Sequence, residues 1–390
     1  MIRAGRAGPR PPRLLMVSTV SSTLRGFLMP FARHFRGLGW RVDGLARGAA
    51  QCAECREGLD RAWDIDWSRS PLAAGRLLRA AGRVRALVRR EGYDLVHVHT
   101  PIAALATRVA LGGLRRSLGL SVIYTAHGFH FRAGAPPIRG AMYRACEQIA
   151  GRWTDYLVVI NREDEAAARR YRIVPDARIR YVPGIGVDLT KYAPEAVDGE
   201  RARARRDELG LGARDQLFLA AGEFTRNKRQ IDALRAFVEL GRRDAYLAFA
   251  GEGPLANRVQ RAAARLGVGD RVRFLGWRAD CPELMRASAA VLLTSAREGL
   301  PRSVMEALGL GVPVIGTRTR GTRELLDDGA GLLVEVGDVA GLSAAMSWVL
   351  DHPDEARAMA ARGRGRMGRY EIGRVLRDHE RLYESALQPG

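Results

Sequence analysis

The chain has 390 residues, room for two or three domains at roughly 150 residues each. With 47% hydrophobic and 27% charged residues it has the composition of a soluble globular protein, which excludes a disordered or fibrous chain. Sixty-three basic against 43 acidic side chains leave a formal charge of +20, and so large an excess suggests an anionic partner: nucleic acid, an acidic membrane surface or phosphorylated substrates.

The excess is uneven. Residues 1–150 hold 24 Arg and no Lys against 9 acids, whereas residues 151–390 hold 39 basic against 34 acidic side chains. Only Lys191 and Lys228 are lysines, so the arginine usage reads as a compositional habit, and a single Arg reads first as part of a solvated face. The chain opens on Arg, Gly and Pro with no apolar stretch, so residues 1–12 are expected to form a flexible basic tail rather than a signal peptide. Short β-rich runs then alternate with longer helical patterns, the mark of βαβ units around parallel sheets. Strands are expected at 14–18, 41–45, 94–99, 122–125, 156–160 and 179–182, and a second series at 217–221, 246–250, 272–275, 290–294, 312–316 and 331–335. Two sets of six imply two doubly wound domains, 13–190 and 191–370, joined near the turn-rich stretch 182–188.

Between the strands, Phe27, Leu28, Phe31, Phe35 and Leu38 alternate with Arg33 and Arg36, and most of these apolar residues are expected to face the sheet. A helix over 71–90 carries Leu77, Ala81, Val84 and Val88 on one stripe, with Arg76, Arg79, Arg83, Arg85, Arg89 and Arg90 largely around it. A charged helix over 195–206 leads into the second series. A last amphipathic helix within 371–390 has no strand after it and is expected to pack back on the first domain. No uncharged apolar run approaches 18 residues, so no bilayer span is expected.

Four cysteines are too few to staple a chain of this size, which suits a reducing compartment. Cys52 and Cys55 form a C-x-x-C with no second pair or nearby His; read as a polar stretch away from any strand-to-helix turn, it carries no expected redox or metal role. The same holds for Asp64-x-Asp66, which lies between Trp63 and Trp67 and reads as a loop.

The chemistry concentrates at expected strand ends, where doubly wound folds bind ligands; with two such domains the cleft between them is the default site. The segment E-G-L-P-R-S-V-M-E-A-L, residues 298–308, follows an apolar strand, and Pro301 suits the first position of a helix. The amides and dipole at that helix start make an anion site, with Glu298 before it and Glu306 inside it able to accept hydrogen bonds from sugar hydroxyls; taken alone, Glu306 also fits an ordinary solvated helix residue. After the first strand of the second domain come Gly222 to Lys228, where Arg226 and Lys228 suit a diphosphate. Gly251 and Gly253 follow the next strand and leave room for a ring or phosphate to approach the backbone. Together these strand ends narrow the ligand to a nucleotide diphosphate.

At these residues the sequence resembles the retaining glycosyltransferases of family 4, which have the GT-B fold: two facing Rossmann-like α/β domains with a deep interdomain cleft. The resemblance covers nearly the whole chain after the tail. It rests on the E-x7-E pair Glu298 and Glu306 followed by G-V-P-V-I at 311–315, on 222–228, on P-G-I-G-V-D at 183–188 and on T-A-H-G-F-H-F at 125–131. The last of these is similar to members that build bacterial capsular, exopolysaccharide or O-antigen chains. The resemblance implies that Glu306 holds the ribose hydroxyls, Glu298 the donor-sugar hydroxyls and Lys228 the diphosphate. The backbone of Gly299 and Leu300 would line the same pocket, and His127 would face the donor from the first domain. Two departures stand out: Glu223 replaces the Arg common after the glycine at 222, with Arg226 as the alternative source of that charge, and 18–23 replaces a Gly-Gly loop that usually borders the acceptor. His97 and His99 either line the cleft or fill space, and His130 sits beside the permissive Gly128.

The resemblance further implies transfer from a nucleotide-diphosphate sugar, UDP by family habit, to an acceptor hydroxyl on a saccharide or polyprenyl-diphosphate carrier, with retention and without a metal or other cofactor. No carboxylate stands out as a nucleophile, so front-side attack assisted by the departing phosphate is expected. The basic first domain suits an anionic membrane surface, at the inner face of a bacterial cytoplasmic membrane. Two alternatives are a nucleotide-sugar 2-epimerase of similar architecture and a nucleic-acid-binding protein. The second lacks a helix-turn-helix, zinc module or aromatic-studded basic sheet, so no nucleic-acid partner is expected.

Overall fold

The computed structural model describes residues 10–67, 74–131 and 137–388. The chain divides into two compact units, Met1–Ile185 with Leu376–Gly390, and Gly186–Val375. These divisions differ from the expected 190/191 and 370/371 because the two ends of the second unit are stitched together. Val187 bridges Glu371 in parallel, its N–H donating to Tyr370 O at 2.8 Å while Ile372 N donates to Val187 O at 3.0 Å.

The first unit is built on seven parallel strands: β1 (Arg13–Val20), β2 (Arg41–Arg47), β3 (Arg61–Asp64), β4 (Leu95–Val98), β5 (Ser121–Ala126), β6 (Tyr156–Val159) and β7 (Ile179–Tyr181), in spatial order β3-β2-β1-β4-β5-β6-β7. Leu14 to Val17 and Leu95 to Val98 are buried without a break, as strands covered on both faces must be. The strand missing from the sequence reading is β3. It is four residues long, charged at both ends and at the sheet edge, so no apolar alternation announces it. Asp64 therefore ends a strand instead of lying in a loop, and its Oδ1 accepts from Gly48 N at 2.7 Å and Ile65 N at 2.9 Å.

Other local readings also change. Residues 1–9 of the expected tail lie outside the described residues, and the chain is anchored from Arg10, whose guanidinium pairs with Asp94 at 2.9 Å. Leu28, Phe31 and Phe35 are buried as expected, but Phe27 and Leu38 are exposed. Cys52 caps the helix Ala53–Gly58 that follows β2, so the C-x-x-C does sit between a strand and a helix. Its Sγ accepts from Cys55 N at 3.3 Å, and burial pushes the Cys55 thiol up to about 12, away from the reactive thiolate. The helix Ala74–Glu91 buries Val84, Leu87 and Val88 and exposes all six arginines named above; residues 71–73 lie outside the described residues.

The second unit has six parallel strands: β8 (Gln216–Ala221), β9 (Ala245–Ala250), β10 (Val272–Phe274), β11 (Ala290–Leu293), β12 (Val314–Thr317) and β13 (Leu332–Val334), in spatial order β10-β9-β8-β11-β12-β13. The charged opening helix lies at Gly199–Glu208, a few residues later than expected, because Asp198 caps it by accepting from Glu200 N at 3.0 Å. In each sheet the order reverses once, between β1 and β4 and between β8 and β11. A crevice opens beyond the strand ends at such a reversal, and ligands bind there. The closing helix, Ile372–Leu387, starts in the second unit and contributes Leu376 onward to the first.

Candidate active site

At the reversal of the second sheet, the loop after β8 is fastened to the loop after β11. Thr294 Oγ1 donates to Lys228 O at 2.8 Å, Ala296 N to Asn227 O at 2.7 Å, and Asn227 Nδ2 to Arg297 O at 2.9 Å. This carries the Lys228 side chain over Gly222, where an added Cβ would stand 3.6 Å from Lys228 Cε, and onto Glu298: Nζ to Oε1 is 2.8 Å. Both side chains are largely sheltered, so water screens the pair only partly. Arg226 lies in the same loop, exposed and without a polar partner among the described residues.

The loops after β9 and β10 join this shelf. Gly222 N donates to Ala250 O at 2.9 Å, Phe224 N to Glu252 O at 2.8 Å, and Gly251 N to Gly276 O at 2.7 Å. A Cβ on Gly251, which has φ +148°, would lie 2.2 Å from Gly222 O; one on Gly253 would lie 2.6 Å from Phe224 N. The space these glycines leave is thus filled by the neighbouring loop. That close packing lets three strand ends present one continuous backbone surface.

Pro301 stands one position earlier than expected, as the extended N-cap of the helix Arg302–Gly309, and no side chain caps that helix start. A helix start without a side-chain cap is the kind of place that suits an anion. Gly299 and Leu300 lead into it, backed by Gly321 of the helix Arg320–Leu326, where a Cβ would fall 1.9 Å from Gly299 O. Gly321→Ala must push the 299–300 backbone outward, and we expect it to cost about 1–3 kcal/mol of stability, which urea unfolding measures.

Glu306 is buried, which overturns its reading as a solvated helix residue. Arg302 Nε donates to its Oε1 at 2.7 Å one turn away, and the Tyr192 hydroxyl, from far along the chain, lies near enough to favour the charged carboxylate. Burial pushes the carboxyl above its ordinary value while Arg302 and Tyr192 pull it back. The i, i+4 spacing could have revealed Arg302; nothing in the sequence points to Tyr192.

At the reversal of the first sheet, His99 follows β4 and His127 follows β5. His99 Nδ1 and His127 Nε2 are 3.2 Å apart, so one carries the proton and donates it to the other. Behind them His97 is fully buried and satisfied, Nδ1 against the Tyr383 hydroxyl at 2.6 Å and Nε2 against Thr125 Oγ1 at 2.7 Å; it fills space. His97 and His99 stack with ring centroids 4.1 Å apart, and His99 Nε2 is buried without a partner. His130 lies apart, its ring 5.0 Å from that of Tyr143. Thr100, which the sequence reading passed over, holds φ +74°, a strained conformation for a β-branched residue. Its Oγ1 accepts from Thr19 N at 3.0 Å.

Burial and the neighbouring His379 push the His127 imidazole down to about 4, and burial pushes His97 and His99 down as well. The unfolded chain takes protons on these rings from about pH 6.5 downward, whereas folded His127 does so only near 4. Stability is therefore present above pH 6.5 and falls through that window, by on the order of 2–3 kcal/mol from His127 alone. Urea unfolding at pH 7 and 4.5 should show this loss, and His127→Gln should remove that part of it.

Among the described residues no three His, Cys, Asp or Glu side chains gather as a metal-ligand set, and no helix is long and apolar enough to cross a membrane.

Two doubly wound parallel sheets, with a lysine, two carboxylates and an uncapped helix start at the reversal of the second, have the architecture of the GT-B glycosyltransferases, and comparison with known proteins agrees. Residues 27–184 match the glycosyl transferase 4-like domain and residues 202–366 the glycosyl transferases group 1 domain, so the chain belongs to glycosyltransferase family 4. It is 30% identical to EpsD of Bacillus subtilis strain 168, assigned as a glycosyltransferase, over 376 residues and 96% of both chains. It is 28% identical to the Escherichia coli UDP-Gal:α-D-GlcNAc-diphosphoundecaprenol α-1,3-galactosyltransferase over 272 residues, 68% of each. Among solved structures, HepE of Anabaena in complex with UDP superposes with a TM-score of 0.78 at 18% identity, covering 96% of this chain and 100% of that one. These findings support a transferase over the epimerase and nucleic-acid readings.

Proposed function

We propose that this glycosyltransferase moves a sugar from a UDP-sugar to a hydroxyl of a lipid-linked saccharide, with retention and without a metal. The observation that carries the reading is the shelf of Lys228, Glu298, Glu306 and the uncapped start of Arg302–Gly309: cation and amides for a diphosphate, carboxylates for hydroxyls on either side of it. The relatives supply the chemical class. HepE holds UDP, and the E. coli enzyme takes UDP-Gal and a diphosphoundecaprenol-linked acceptor.

In this mechanism Glu306 accepts from the ribose hydroxyls and Glu298 from the donor sugar. Lys228, with Arg226 free to swing in, stabilises the charge that develops on the departing diphosphate, preorganised electrostatics of the kind that contributes most to such steps. The acceptor hydroxyl attacks from the face the diphosphate leaves, and a phosphate oxygen takes its proton. His127, neutral at pH 7, is a hydrogen-bonding group that the first unit can offer to a sugar hydroxyl. The basic first unit lies against the inner face of a cytoplasmic membrane, where a polyprenyl-linked acceptor resides.

The test is turnover of a panel of UDP-sugars with a polyprenyl-diphosphate saccharide, the product's anomeric configuration being read by NMR. An inverted product, activity abolished by EDTA and restored by a divalent ion, or a covalent sugar adduct on a carboxylate would each overturn a named part of the mechanism.

A further inference from the structure

The first unit carries a surface that the sugar chemistry does not use. Along the helix Pro137–Gly151, Ile138, Met142, Ala145 and Ile149 recur at i, i+4, i+7 and i+11, one stripe about 16 Å long at 1.5 Å per residue. The stripe points outward: Ile138 is 84% exposed, Met142 53% and Ile149 49%. Scattered exposed apolar residues are ordinary, but a contiguous apolar row on a helix marks an interaction surface. The helix's one acid, Glu147, is engaged on the other side, with Arg108 Nη2 at 2.8 Å and the Tyr124 hydroxyl at 3.1 Å.

The stripe runs into an open groove of about 1030 Å³ whose lining includes Ile149, Arg152, Arg169, Arg172, Arg178 and Asp176. Arg169 pairs with Glu165 at 3.1 Å and reaches Asp176 at 3.6 Å; Arg152, Arg172 and Arg178 have no carboxylate partner among the described residues. Apolar side chains flanked by unneutralised guanidinium groups match the interface of an anionic bilayer, acyl chains meeting the stripe and phosphate headgroups the groove. The arginine-rich helix Ala74–Glu91 fits that partner less well, because its apolar side is buried against the core and Leu78 is its one large exposed apolar residue among those described.

We propose that the outer face of Pro137–Gly151 and the adjoining arginine groove are the surface by which the enzyme docks on anionic membranes. This rests on the membrane reading above and assigns it a face.

The experiment is co-sedimentation of the full chain with vesicles of mixed phosphatidylcholine and phosphatidylglycerol, and with phosphatidylcholine alone. It compares wild type with Ile138→Ser/Met142→Ser/Ile149→Ser, with Arg152→Gln/Arg172→Gln/Arg178→Gln, and with Arg76→Gln/Arg79→Gln/Arg83→Gln; UDP affinity serves as the check on folding. Wild type should bind the anionic vesicles, the first two variants should lose about tenfold or more in partitioning, and the third should lose less. Wild type that ignores both vesicles sinks the membrane reading itself. Wild type that binds while stripe and groove variants bind equally well overturns the docking face alone. So does a stripe variant that turns a dimer into a monomer without lipid, since the occupant would then be a second copy of the chain.

Discussion

Glu306→Ala is expected to lower UDP affinity about a hundredfold, through two lost charge-assisted hydrogen bonds of about 1.5 kcal/mol each. The variant also strips Arg302 of its carboxylate partner, so part of the loss is structural. Glu306→Gln separates the two effects. It keeps the volume and an oxygen for Arg302 Nε but gives up the charge, so affinity should fall only about tenfold with little change in unfolding midpoint. Calorimetric titration with UDP and with uridine decides the matter: both ligands carry the ribose, so both should weaken in parallel. Undiminished affinity in Glu306→Ala would remove the ribose assignment.

Lys228→Met should cut turnover by about 10²–10³, the scale seen when one preorganised group facing a developing charge is lost. Lys228 neutralises Glu298 at 2.8 Å, which offers a competing explanation: the lysine serves only its neighbour. The two accounts diverge in the double variant. If Lys228 merely offsets Glu298, then Lys228→Met/Glu298→Gln should recover activity relative to Lys228→Met. If it holds the diphosphate, the double variant should be no better, and UDP should weaken where uridine does not. Recovery in the double variant would refute the diphosphate role.

The residues gathered at the reversal of the second sheet were legible in the sequence, because they lie in short segments that each close a strand. All twelve expected strands are present; the inner ones are doubly covered apolar runs, and the edge strands β7, β10 and β13 carry apolar residues at both ends. The misreadings share a cause. The strand β3 is four residues long and charged at both ends, too short and polar to show a pattern. Cys52 was read as lying in a polar stretch, yet the helix it caps is only six residues long, too short to show a period.

By itself, then, the sequence determined two doubly wound α/β domains, their approximate extent, and a carboxylate-bearing helix start typical of family 4. These are properties of local patterning: apolar periodicity, turn formers and residues within a few positions of one another. The tertiary structure alone decided which charges meet. Lys228 and Glu298, 70 residues apart, touch because the strand order reverses between β8 and β11. His97 and Tyr383, 286 apart, touch because the last helix returns to the first unit. Strand order and helix return are set by how whole elements bury their apolar faces, so partners so distant leave no trace in the spacing of residues.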